Sequence, residues 1–220
     1  MLLKQTKHLI KSIYYKMAKK LLFLIVLIAS AFAQAQNKEH YILLIEGDSL
    51  KIDLNQDLNY KLKSGKTIDL KLVQPALLSY EDDYLSFLYP NTVTYSQTPV
   101  EDGLMQLMVM RATGNGLIIQ EYDFLNPENL VDLMLNEITK ESVSYGYSKT
   151  VNPVSLKFKS GETATGKEAV MEYNGETEVY SVLAYGKKDK GIIILRIQTV
   201  ANKEDELIFD TIQDNFELKM

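Results

Sequence analysis

Hydrophobic and polar residues along most of this chain alternate with a period of two, and that pattern predicts a protein built mainly from strands. Leu50, Ile52 and Leu54 alternate with Lys51 and Asp53, Leu58, Tyr60 and Leu62 with Asn59 and Lys61, and Ile68, Leu70 and Leu72 continue the series. Gly47-Asp48 and Ser64-Gly65 are placed to turn the chain between these runs, so residues 37–80 read as an N-terminal β-meander of two or three hairpins. Pro75 and the acidic cluster Glu81-Asp82-Asp83 read as a solvated linker before a main body over residues 81–220. In that body, strands are predicted over residues 84–88, 104–112, 117–122, 151–158, 166–173, 179–185 and 192–200. The last has Ile193, Leu195 and Ile197 on one face and Ile192 and Ile194 on the other, which places it at the centre of a sheet covered on both sides.

The period changes to three and four in two places. Asn126 is a good N-cap, Pro127 suits the first helical position, and Leu130, Val131, Met134, Leu135 and Ile138 form an apolar stripe behind them. Asn202 caps a closing helix with an acidic first turn, Glu204, Asp205 and Glu206, and an inward side of Leu207, Ile208 and Ile212. The predicted fold class is therefore α+β, an antiparallel β-sheet flanked by helices, with the meander before it.

One apolar run follows neither period. Lys19 and Lys20 precede an unbroken apolar stretch over residues 21–28, and Ala33-Gln34-Ala35 puts small residues where signal peptidase cuts. Residues 1–36 thus read as a secretory signal peptide. The sixteen residues before Met17 carry Lys4, Lys7, Lys11 and Lys16 without an acid, and we read them as a start codon assigned too early. The run is shorter than the roughly 20 residues a membrane span needs, so the mature chain is expected to be soluble and exported, periplasmic or extracellular, with no membrane span after cleavage.

Cleavage changes the charge. Removing the six leader lysines from 24 basic residues leaves 18 against 29 acids, a net charge of −11 for the 184 residues from Asn37. That field argues against nucleic acid as a partner. The chain has no cysteine, which removes disulfides, lipidation behind the leader and thiolate chemistry. Of its two histidines, His8 leaves with the leader and His40 sits beside the new N-terminus. Triads built on histidine and nitrogen–sulfur zinc sites are excluded, leaving carboxylate, lysine or tyrosine chemistry.

Several motifs carry candidate chemistry. Gly161-Glu162-Thr163-Ala164-Thr165-Gly166-Lys167 has the glycine and lysine spacing of a phosphate loop, but Glu168 replaces the magnesium-binding hydroxyl and the flanks read as strands, so a hairpin is expected. Lys61-Leu62-Lys63-Ser64-Gly65-Lys66-Thr67 and Lys157-Phe158-Lys159-Ser160-Gly161-Glu162-Thr163 look like one hairpin solution used twice. Glu81-Asp82-Asp83 lacks the alternation of a calcium loop. Arg111 and Arg196, the only arginines, are expected to pair structurally with Glu121 or Glu172. Tyr145, Tyr147 and Lys149 form the candidate binding site. If that segment is extended, the two rings share a face beside the lysine, with Gly146 letting them adjust. No catalytic residue, cofactor or metal ligand is assigned.

Phe87-Leu88-Tyr89-Pro90 at the head of the body, Gly166-Lys167-Glu168-Ala169 opening a strand, Tyr185 before a turn, Gly191-Ile192-Ile193 after it, and Ile212 leading to Phe216 carry a resemblance. Over about residues 84–220 the chain resembles the PsbP-like and DcrB-like proteins. The resemblance implies an antiparallel sheet with helices packed against it. Relatives include an extrinsic photosystem subunit, a bacterial envelope lipoprotein and a Ran-binding transport factor, and their common trait is binding. The expected function is therefore an exported, non-enzymatic binding or envelope-accessory protein whose partner is an unknown protein or envelope component. The alternative is a carboxylate-dependent hydrolase of an envelope polysaccharide.

Overall fold

A computed structural model describes residues 41–199 and 203–220. The expected signal peptide and the expected Asn202 cap lie outside the described residues. The described chain forms two compact units that divide after Val73.

The first unit consists of two antiparallel hairpins, β1 (Tyr41–Ile45) with β2 (Asp48–Ile52), and β3 (Asp57–Lys61) with β4 (Thr67–Lys71). Tyr60 donates to Asp48 at 2.5 Å, tying one hairpin to the other. At the Ser64-Gly65 turn the Leu62 amide donates to the Lys66 carbonyl at 2.8 Å and the Gly65 amide to the Leu62 carbonyl at 2.9 Å. The second copy of the motif repeats this pattern, Phe158 to Glu162 at 2.8 Å and Gly161 to Phe158 at 3.0 Å. Both glycines take left-handed backbone, φ 87° and 107°, which a side chain would strain.

The second unit is built on a seven-stranded antiparallel sheet. Its members are β7 (Thr94–Glu101), β8 (Leu104–Met110), β9 (Gly116–Tyr122), β10 (Ser148–Lys157), β11 (Thr163–Tyr173), β12 (Glu176–Lys187) and β13 (Lys190–Gln198), in the order β10-β11-β12-β13-β9-β8-β7. The run with isoleucines on both faces, β13, is the central strand, as its pattern predicts. One face of this sheet is covered by a three-stranded sheet of β5 (Leu77–Glu81), β6 (Leu85–Pro90) and β14 (Glu217–Leu218), together with the helix Lys203–Asp214. Leu85 and Phe87 from the small sheet, Leu107, Ile119, Ile192 and Ile194 from the large one, and Phe209 and Ile212 from that helix form one core. Phe87 stacks on Phe216 at 5.6 Å between centroids. The other face is covered by Val131, Met134 and Leu135.

Three expectations change. The single helix after Asn126 is a 3₁₀ turn (Pro127–Leu130), α1 (Val131–Ile138) and α2 (Lys140–Tyr145). Its start is as read, with Asn126 accepting from the Glu128 amide at 3.0 Å. It breaks at Thr139, whose hydroxyl bonds back to the Leu135 carbonyl at 2.7 Å. The closing helix, α3 (Lys203–Asp214), turns Asp205, Ile208, Phe209 and Ile212 inward at spacings of three and four and leaves Leu207 66% exposed. The acidic cluster is not a linker. Glu81 ends β5, and Asp82 caps the turn into β6 by accepting from the amides of Tyr84 at 2.8 Å and Leu85 at 2.9 Å. The helices therefore share the flanking of the sheet with a second sheet, because β5, read as part of a boundary, pairs with β6 through its whole length.

Candidate functional site

Strand β9 is buried along its whole length, and its sequence, Gly-Leu-Ile-Ile-Gln-Glu-Tyr, puts an acid into that interior. Glu121 is 5% exposed and follows Leu117 and Ile119 on the face that meets the small sheet. Its cross-strand neighbours are Met105 on β8 and Ile192 on β13. At this end of the sheet the core gives way to the β5–β6 turn and to Asp82. Asp82 accepts from the Tyr80 hydroxyl at 2.5 Å besides its two backbone donors, and Glu121 hydrogen-bonds to it. Glu121 Oε1 is buried without a hydrogen-bond partner.

The two carboxyls differ in character because their surroundings differ. Burial, then the hydrogen bond and charge of Asp82, pushes Glu121 up to about 9, so it carries a proton at neutral pH. Burial also works against ionised Asp82, but the Tyr80 hydroxyl and the Leu85 and Tyr84 amides outweigh it and hold this carboxyl below its usual range. The protonated acid can thus donate to the ionised one. Burial also raises Tyr80, Tyr84 and Tyr95 around them.

Above this pair opens a pocket of about 540 Å³. Glu121 lines its floor, Tyr84, Leu104 and Met105 its walls, and Glu101, Asp102 and Asp123 are its exposed acids. The Asp123 amide donates to the Gly103 carbonyl at 3.0 Å, which holds the β7–β8 turn against the chain leaving β9. The Lys190 ammonium lies 5.8 Å from the centroid of the Tyr84 ring. Among the described residues no group of three or more histidine, cysteine or acidic side chains is placed to hold a metal ion.

Tyr145, Tyr147 and Lys149 do not form a platform. Tyr145 ends α2 and is 69% exposed, and Gly146, at φ 102°, turns the chain before Tyr147. Tyr147 packs on Tyr173 at 5.3 Å and donates to Glu176 at 3.0 Å, which raises its hydroxyl to about 12. Lys149 donates to Asn136 and Thr139, both at 2.9 Å, tying β10 to α1. Tyr145 is helical and Gly146 turns the chain before β10 begins at Ser148, so the alternation that would align the two rings does not apply.

The arginines also find other partners. Arg111 pairs with Glu204 at 3.0 Å and Asp205 at 3.5 Å. Arg196 lies over the Phe209 ring at 4.2 Å and donates to Gln198 at 2.7 Å. Glu121 faces Asp82 instead, and Glu172 sits exposed in β11. Lys167 of the phosphate-loop-like segment pairs with Asp132 at 2.6 Å, and Gly161 forms the β10–β11 turn. The pocket around Glu121 was missed from sequence. Its signal is the pair Gln120-Glu121 inside a strand otherwise apolar on both faces.

No family model matches the chain, and no curated protein matches it. Among solved structures it is similar to the solution structure of cyanobacterial PsbP from Synechocystis sp. PCC 6803, at 16% identity and a TM-score of 0.42, covering 65% of this chain and 92% of that one. No helix among the described residues is long and apolar enough to cross a membrane.

Proposed function

We propose that this protein is an exported, non-enzymatic binding or envelope-accessory protein of the PsbP-like and DcrB-like type, and that it engages its partner through the pocket above Glu121. The observation that carries this reading is the pocket itself, a concavity of about 540 Å³ with acids at its rim and a buried carboxyl at its floor. The acid pair beneath it favours binding over hydrolysis. Glycoside hydrolysis needs two carboxyls about 5–9.5 Å apart, with the substrate or a water between them. Glu121 and Asp82 are hydrogen-bonded to each other, and Asp82 is further occupied by Tyr80 and two backbone amides. An acid so engaged is poorly placed to activate water.

The test compares the mature protein with a Glu101→Gln, Asp123→Asn variant, measuring co-sedimentation with purified cell envelope and release of reducing ends from it. Retention by the wild type, loss in the variant and no released reducing ends is the expected result. Reducing ends released by the wild type and not by Glu121→Gln would identify the hydrolase. Equal retention of the rim variant would move the partner surface away from this pocket.

A further inference from the structure

We propose that the pocket takes a single alkylammonium group, a lysine-type side chain or a free diamine, which enters between Glu101 and Asp123 and donates to the Glu121 carboxyl. This inference rests on the pocket being a binding site and adds the chemistry of what it binds. The first observation is the buried oxygen at the floor. Glu121 is 5% exposed, lines the pocket and leaves Oε1 without a donor. A buried acceptor without a donor is costly, and a cationic N–H is the group that would relieve it most.

The second observation is the shape of the offer. Asp82 already takes one hydrogen bond of the Glu121 carboxyl, so this acid is not free to offer both of its oxygens to one ligand. A guanidinium needs both oxygens for its planar fork, whereas an ammonium is a compact point donor. A divalent cation needs six or more oxygens, and among the described residues the acids here are not grouped to hold one.

The walls complete the match. Pro99, Leu104 and Met105 offer apolar surface for a methylene stem, and the Tyr84 ring already accepts an ammonium, that of Lys190, at 5.8 Å. Met105 stands directly across from Glu121 on β8 and, being unbranched and half-buried, can yield to an entering group.

Ammonium binding favours ionised Glu121 and so releases its proton. The groups that face this carboxyl are Tyr80 from β5, Asp82 and Tyr84 from the β5–β6 turn and Tyr95 from β7. Glu101, Asp102 and Asp123 line the same pocket, and Lys190 lies against Tyr84. Glu121 is raised to about 9 by its burial and by Asp82, so it changes charge on binding between pH 6 and 9. An alkylammonium keeps its own proton up to about pH 10.

The experiment is an amide-resolved NMR titration of the mature protein with cadaverine, with Nα-acetyl-lysine amide and with calcium chloride, at pH 6 and pH 9. It is run on wild type, Glu121→Gln and the Glu101→Gln, Asp123→Asn variant. Both amines are expected to shift pocket amides of the wild type, with affinity rising about tenfold or more from pH 6 to pH 9, while Glu121→Gln binds more weakly and without that rise. Equal affinity for the two amines assigns the group to a lysine on a partner chain, and tighter cadaverine binding assigns it to a free diamine. The rim variant, altered only at exposed positions, guards against a folding defect and should also bind weakly. No amine binding up to about 10 mM, an unchanged pH profile in Glu121→Gln, or calcium shifting the same amides would overturn the proposal. If amines fail while envelope retention still depends on the rim acids, this inference falls and the binding reading stands.

Discussion

Replacing Glu121 by Gln removes a titration while keeping the shape, because the carboxamide can still donate to Asp82 as the protonated acid does. A free glutamate loses its proton near pH 4.3, whereas folded Glu121 keeps its own to about 9. Between those values the native state holds a proton that the unfolded chain has released, so this residue's contribution is complete at low pH and declines as pH rises. The slope is at most about 1.4 kcal/mol per pH unit, or about 4 kcal/mol between pH 5 and pH 8. Relaxation of the site and entry of water on ionisation would reduce this to about 2 kcal/mol. Asp82 does not blur the window. Its folded pKa is depressed, so its contribution is present above the usual aspartate value and is lost only as pH falls below it. Urea denaturation of wild type and Glu121→Gln at pH 5, 6, 7 and 8 should give equal stability at the acid end. At pH 8 the variant should lead by about 2 kcal/mol, or about 4–8 °C in Tm for a domain of this size. Parallel pH profiles would refute the assignment of a proton to Glu121.

Asn115 is fully buried, accepts from the Thr199 amide at 2.9 Å and hydroxyl at 3.2 Å, and donates to Asp205. Asn115→Ala should cost about 2–3 kcal/mol in urea denaturation, because it takes the acceptor from two part-buried Thr199 donors and one donor from the buried Asp205 carboxyl. Tyr145→Ser should leave stability within about 0.5 kcal/mol, while Tyr147→Ser should lose about 1 kcal/mol with its Tyr173 packing, both read by thermal melts. Intact-mass measurement of exported material should place the mature N-terminus between Gln34 and Asn37.

The large sheet was legible because it is alternating and apolar. β8, β9, β11, β12 and β13 all fall on predicted strands, and both Ser-Gly hairpins take the same turn. What escaped was β7 and β5. β7 exposes every residue but Tyr95, so no apolar period marks it, and β5 ends in Glu81, whose neighbours look like a solvated linker until Asp82 is seen capping a turn. The helix after Asn126 was placed correctly at its start. Its break was missed because Thr139 acts through a hydrogen bond to its own preceding turn, which hydrophobic spacing does not record. The site was hidden for a related reason. A tyrosine–glycine–tyrosine loop looks exposed and adaptable in sequence, whereas Glu121 sits in a run whose apolar neighbours suggest only core.

Antiparallel register keeps Glu121 away from both arginines. Met105 lies across from Glu121, and Met110, next to Arg111, across from Gly116, so the acid and Arg111 stand at opposite ends of the β8–β9 pair. Five or six residues at about 3.4 Å each separate them by roughly 17–20 Å. Arg196 is no nearer, since it pairs across from Leu117 at the Arg111 end. Both arginines are thus gathered against α3, where Asp205, Glu204 and the Phe209 ring receive them. The other end of the sheet holds Glu121 and Asp82 with no arginine between them. Two carboxyls in contact in that environment cannot both ionise, and holding a proton on Glu121 is how the fold tolerates the pair. That proton is replaceable. A cation arriving from outside would do for Glu121 what Glu204 and Asp205 do for Arg111, and the acids at the pocket's rim lie on the route by which it would enter.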